Sequence, residues 1–99
     1  MLLLLKGACT APRAPRTVTS DDLGIKIPAI RSAVSADDRS IIPHLIEDLE
    51  NDDPAVRFYA IQGLRRLTGQ TMDYHYYDAE EQRTAAVQRW RQWLAEKEQ

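Results

Sequence analysis

A single cysteine among 99 residues excludes an internal disulfide and a zinc site built from cysteines. Long hydrophobic runs are missing too: no stretch approaches the roughly 20 apolar residues of a membrane-spanning helix. Nor does one charge dominate. Thirteen basic residues against fifteen acidic ones give a net charge of -2, so composition offers no sequence-wide reason to expect nucleic-acid binding. No Ser/His/Asp or paired-carboxylate arrangement can be argued, and Cys9 has no organised basic partner, so the expectation is a non-enzyme without cofactor or metal. The length allows one small domain, and the first twenty residues offer little to bury in it.

What is present is organised around Asp52 to Leu67, DDPAVRFYAIQGLRRL. Asp53 can cap a helix, Pro54 fits the first helical position, and the aspartates suit the positive helix end. Val56, Tyr59, Ala60, Ile61, Leu64 and Leu67 recur at three- and four-residue spacing and predict one apolar stripe. Gly69 follows as a stop. The stretch also occurs twice. Asp21 to Arg31, DDLGIKIPAIR, lies 31 residues upstream of Asp52 to Gln62, DDPAVRFYAIQ. Across that offset Asp21 matches Asp52, Asp22 matches Asp53, Ile25 matches Val56, Lys26 matches Arg57, Ala29 matches Ala60 and Ile30 matches Ile61. A period near 30 residues signals helical-repeat architecture.

DDPAVRFYAIQGLRRLTG, preceded by DDRSIIPHLIEDLEN, resembles the bacterial HEAT-like repeat in its short phycobilisome-lyase-type variant. Ile42, Pro43, Leu45, Ile46 and Leu49 supply the first helix of such a repeat; Asp53, Pro54, Val56, Arg57 and Ala60 supply the second. The resemblance spans roughly Ser20 to Gly69. It implies an all-α fold, a short right-handed α-solenoid of about four helices: a half-repeat first, then a complete repeat, then a closing tryptophan-bearing helix. It also implies that Arg57 and Lys26 lie at repeat junctions, bonded to turn aspartates or carbonyls. In the first copy Leu23 and Gly24 stand where the second has Pro54 and Ala55, marking a worn terminal cap. Ile30 is therefore expected to be less covered than its counterpart Ile61.

Residues 1–19 read as a tether and 20–99 as the repeat domain. Leu2 to Leu5 followed by Gly7, Ala8 and Cys9 is similar to the end of a bacterial lipoprotein signal, which would make Cys9 a lipidation site at the cell envelope. Lys6 departs from that pattern. The apolar run of four is short of the ~7–15 residues of a working signal, and no basic segment precedes it; a start site placed too far downstream accounts for the missing part. The alternative is an unstructured cytosolic N-terminus with an incidental cysteine. Thr10 to Thr19, TAPRAPRTVT, suits a tether under either reading.

Ser20 to Ser35 predicts the first helix, capped by Asp21 or Asp22, with Leu23, Ile27, Ile30 and Val34 as its stripe and Ile25, Ala29 and Ala33 beside it. Pro28 should kink or delay that helix. Asp37 or Asp38 caps a second helix running to about Glu50, with Ile41, Ile42, Leu45, Ile46 and Leu49 inward. Glu47, Asp48, Glu50, Asp52 and Asp53 form an acidic cluster, either a solvated face with caps or a site for a cation or basic partner. Arg65 and Arg66 complement the dipole at the C-terminal end of their helix. Gly69 to Asp78, GQTMDYHYYD, sets Met72, Tyr74, His75, Tyr76 and Tyr77 in a connection where loops are normally small and polar. The loop is either a ligand site, with tyrosines for stacking and Asp73, His75 and Asp78 as polar or metal-binding groups, or a cover over the core. The cover is preferred, with at least one tyrosine buried and His75 and Asp73 turned to solvent, away from Asp78 and His44. Asp78 and Glu81 predict a capping box for the last helix, and Trp90 and Trp93, at on the order of 150–250 Å² each, predict its core anchors.

The functional expectation is a non-catalytic protein-binding or scaffold module, membrane-tethered through Cys9 on the lipoprotein reading. Tyr74, His75, Tyr76, Tyr77, Arg65 and Arg66 are its candidate interaction surface. The alternative is an accessory or enzyme-associated domain, lyase-like or nucleic-acid-binding, since related repeats occur in bilin lyases and alkylpurine glycosylases. A nucleic-acid role would need Arg57, Arg65, Arg66, Arg83, Arg89 and Arg91 on one surface. The lipoprotein reading makes a direct prediction. Expressed from the true upstream start codon, the native product fractionates with membranes and Cys9→Ser releases it; soluble wild-type protein from that start codon would remove the anchor.

Overall fold

In the computed structural model, aspartates start two of the four α-helices and the 3-10 turn that leads into a third. Asp22 accepts from the Gly24 backbone N–H at 2.9 Å, Asp38 from Ser40 at 3.0 Å and Asp53 from Ala55 at 2.8 Å. Each satisfies an orphan donor of a first turn, worth about 1 kcal/mol. The structure describes residues 16–98 and is all-α, without a strand among them. Helix α1 is Leu23–Ser35, α2 is Ile42–Asp48, α3 is Pro54–Thr68 and α4 is Glu80–Lys97; 3-10 turns occupy Arg16–Thr19 and Arg39–Ile41. Lipidation at Cys9 falls outside the described residues.

Gly69 ends α3 as expected, at φ 79°, and its N–H bonds to the Arg65 carbonyl. Pro43 is tolerated because it sits in the first turn of α2, after a 3-10 turn. Pro28 neither ends nor delays α1, which runs unbroken past it. Both Pro28 and Gly24, whose carbonyl loses the partner, are exposed, so water can replace the missing bond. The capping box at Asp78 does not form. Helix α4 starts one residue later, with Ala79 at its cap position and no side-chain cap bond, while the Asp78 carboxylate turns to His75.

Helix α3 packs against both α1 and α2, and α4 packs against α2. The core joins Ile30 and Ala33 of α1 to Ile41, Ile42, Leu45, Ile46 and Leu49, then to Ala60, Leu64 and Leu67 of α3 and Ala86, Val87 and Trp90 of α4. Gly63 allows the close approach: a Cβ there would lie 2.9 Å from Val34 Cγ2 and 3.1 Å from Leu45 Cδ1.

Four expectations need correction. Val18, assigned to the tether, is fully buried, because the Arg16–Thr19 turn packs on α1; the folded unit therefore includes residues before 20. Ile25 is 45% exposed although its counterpart Val56 is fully buried. Of the expected stripe in α1, Ile30 is buried and Val34 packs partly against the core, but Leu23 and Ile27 are only partly buried, while Lys26 and Ala33 turn inward. Trp93, taken as a core anchor, is only partly buried; its ring meets Trp90 edge to face at 5.4 Å. The order of Ile30 and Ile61 is also reversed: Ile30 is 1% exposed, whereas Ile61 is only partly buried. Helix α1 packs its Ile30 side against the core and α3. Ile30→Ala should therefore destabilise by about 2–5 kcal/mol, the range for a fully buried aliphatic, and Ile61→Ala by less. Denaturant midpoints of the two variants check this; a larger loss at Ile61 would contradict the packing.

Candidate functional site

The two basic residues of the repeated stretch are both buried, and both are bound to the fold. Lys26 Nζ donates to the Val18 carbonyl at 2.7 Å and pairs with Asp48 Oδ1 at 3.0 Å. Burial pushes the Asp48 carboxyl above its ordinary value, although the Lys26 bond and charge oppose it. Arg57 Nε donates to the Tyr76 carbonyl at 3.0 Å, and Nη1 donates to the carbonyls of Asn51 at 2.8 Å and Asp52 at 3.0 Å. These contacts compensate desolvated charge. They leave neither residue free for a ligand.

The loop between α3 and α4 is fixed by donors from every side. Trp90 Nε1 donates to Thr71 at 3.1 Å, Arg89 to Met72 at 2.9 Å, Arg57 to Tyr76 and Arg83 to Asp78 at 3.0 Å, always at the carbonyl. Met72 and Asp73 take positive φ of 56° and 57°, a conformation the surrounding bonds must hold. Tyr74 is 3% exposed and its hydroxyl donates to the Leu49 carbonyl at 2.6 Å; burial raises its pKa. The loop thus covers the core through Tyr74, which is thereby lost as an interaction residue. His75 does not avoid its neighbours. Nδ1 lies 3.2 Å from Asp78 Oδ2 and Nε2 lies 4.0 Å from Asp73 Oδ1. Opposite ring nitrogens meet the two carboxylates, so they flank the imidazole and do not converge on one point as metal ligands must. The described residues contain no group of three His, Cys, Asp or Glu side chains fit to hold a metal.

The acidic cluster is likewise dispersed. Asp48 serves Lys26, Glu50 pairs with Arg91 at 2.6 Å, Asp53 caps α3, and the Asp52 carbonyl binds Arg57. His44 lies in a different cleft, beside Asp21, Glu47 and Asp48. A third cleft holds the partly buried Trp93, with Lys97 Nζ 5.7 Å from its ring centre.

Arg65 and Arg66 stand on the wall of an open groove of about 460 Å³ between α1 and α3. Its floor is Ile30, Val34 and Gly63; Arg31, Tyr59 and Gln62 complete the walls, and no carboxylate lines it. Arg31 lies 5.7 Å from the centre of the Tyr59 ring. From there rings touch in series: Tyr59 to Phe58 at 5.1 Å, Phe58 to Tyr76 at 5.3 Å, Tyr76 to Tyr77 at 5.2 Å, and Tyr77 to His75 at 5.4 Å. Ring contacts thus run from the groove that Arg65 and Arg66 line, through Tyr59 and Phe58, to Tyr76, Tyr77 and His75, with Tyr77 at 70% exposure. Arg31, Tyr59 and Phe58 were missed as connecting members. The available signal was the 31-residue offset, which places Arg31 opposite Gln62, both of them groove residues.

No helix among the described residues is long and apolar enough to cross a membrane. The chain matches no family model, no curated protein and no solved structure.

The loop geometry yields a prediction. Tyr74→Phe leaves the Leu49 carbonyl unsatisfied in the interior and should cost about 1–3 kcal/mol; Tyr74→Ala adds a cavity and should cost about 3–5 kcal/mol. Thermal and denaturant unfolding read both, and a neutral Tyr74→Ala would refute the cover role.

Proposed function

We propose that this chain is a non-catalytic protein-binding module built as a short HEAT-like α-solenoid, with the groove between α1 and α3 as its binding surface. Three features support the solenoid: the 31-residue offset, a buried basic residue at the same position of each copy, and the placement of α1 beside α3 and α2 beside α4. On the lipoprotein reading, the segment through Cys9 tethers this module to the cell envelope.

The observation that carries the binding role is the groove's composition. It offers apolar floor atoms beneath exposed arginines and a tyrosine, the residue types in which binding energy concentrates at protein interfaces. Among the described residues, the side chains of those arginines make no hydrogen bond or ion pair. A photo-crosslinking side chain at Gln62, in the groove, should capture a discrete protein in native cells. The same side chain at exposed Gln88 on α4 should not, and Arg65→Glu/Arg66→Glu should abolish the Gln62 adduct. Equal labelling from both positions, or no protein adduct from Gln62, would refute the role.

A further inference from the structure

The eight arginines whose side chains are described divide cleanly. Arg39 donates to the Leu67 carbonyl, Arg57 to three carbonyls, Arg83 to Asp78, Arg89 to Met72, and Arg91 to the Glu50 carboxylate. Arg31, Arg65 and Arg66 make no hydrogen bond or ion pair among the described residues, and all three line the one groove. Three uncompensated guanidiniums around an apolar floor create a local positive field in a chain whose formal net charge is -2. Each presents a planar fork matched to a carboxylate.

Building on the protein-binding reading, we propose that the groove takes an extended segment of a partner polypeptide with its acidic residues gathered at one end. Those carboxylates meet Arg31, Arg65 and Arg66. The rest of the segment, apolar or aromatic, follows the ring series from Tyr59 through Phe58 and Tyr76 to Tyr77. The ring-to-ring steps from Tyr59 to Tyr77 can be followed by about five residues of extended chain at roughly 3.3 Å each. The far end sets the charge order. Asp73 and Asp78 flank His75 there, so acidic residues are repelled where the ring series ends. The ring geometry favours a polypeptide over a single-stranded nucleic acid. Tyr59, Phe58, Tyr76 and Tyr77 meet at interplanar angles of 74° to 86°, so neighbouring rings do not offer parallel faces to successive bases. Edge-to-face rings do suit inserted apolar and aromatic side chains.

Fluorescence anisotropy with the full chain tests this at low salt. The probes are a labelled ten-residue peptide of four glutamates followed by alternating tyrosine and serine, a peptide of the same composition with the glutamates dispersed, and a ten-nucleotide oligothymidine. The end-loaded peptide should bind at least about tenfold more tightly than the dispersed one, and Arg65→Glu/Arg66→Glu should lose about tenfold or more. Tyr77→Ala should weaken the end-loaded peptide about fivefold, a contributing contact below the scale of an interface hot spot. These side chains are exposed, and a melting curve for each variant confirms that it is folded. Equal affinity for both peptides, no peptide binding, insensitivity to the arginine changes, or tighter oligothymidine binding would each overturn the proposal. The crosslink at Gln62 separates the two levels: an adduct mapped to a non-acidic partner segment ends this inference and leaves the binding module standing, whereas no adduct with Arg65 and Arg66 intact removes both.

Discussion

The structure depends on one buried guanidinium. Arg57 is 9% exposed and has no carboxylate partner; three backbone carbonyls share its charge. Two of them belong to the turn between α2 and α3 and the third to the loop before α4. This side chain therefore ties together two irregular segments that have no hydrogen-bond ladder of their own. With the loop so placed, Tyr74 reaches Leu49, Trp90 reaches Thr71, and Tyr76 lies against Phe58. The first two contacts close the core, and the third joins the loop to the surface of α3. Without Arg57 the three carbonyls would lose their strongest donor, and the loop would lose its anchor on α3.

The division of labour among the arginines gives the surface its character. Those bound to carbonyls or to Glu50 are structural, and their charge is already matched. The unmatched ones were left in a groove whose floor comes from two helices that meet at Gly63. That site is thus a by-product of close helix packing: Gly63 brings α1 and α3 together, and the arginines of both helices end on the same trough. The aromatic series extends the trough without needing a pocket of its own, since each ring rests on the edge of the next.

How much could be read from the chain follows from the range of the interactions. The caps at Asp22, Asp38 and Asp53, the stop at Gly69 and the inward face of Ile41, Ile42, Leu45, Ile46 and Leu49 all act within a few residues, and pattern alone reveals them. Val18 was hidden in a tether-like composition because its burial depends on α1 and on a bond from Lys26, eight residues away. Ile30 and Ile61 are equivalent in sequence and differ in how deeply the tertiary packing buries them, a fact the local pattern does not contain. Arg65 and Arg66 looked like dipole partners at a helix end, and only the approach of α1 makes them part of a groove with Arg31. In the loop, four aromatic or imidazole rings in succession are alike by composition. Geometry alone separates buried Tyr74 from exposed Tyr77.

Most long-range polar links here share one asymmetry: the donor is a specific side chain, while the acceptor is a peptide carbonyl. Lys26, Arg39, Arg57, Tyr74, Arg83, Arg89 and Trp90 each bind backbone oxygen, at Val18, Leu67, Asn51, Asp52, Tyr76, Leu49, Asp78, Met72 and Thr71. Any residue at an acceptor position supplies that oxygen, so the tie itself places no demand on that residue's side chain, and exposed acceptors such as Asp52 can drift over evolutionary time while the donor is held. Pairs of this kind leave no correlated substitutions behind them. A lineage could rewrite half of each tie, alter the lettering of its turns and loop, and keep the same architecture.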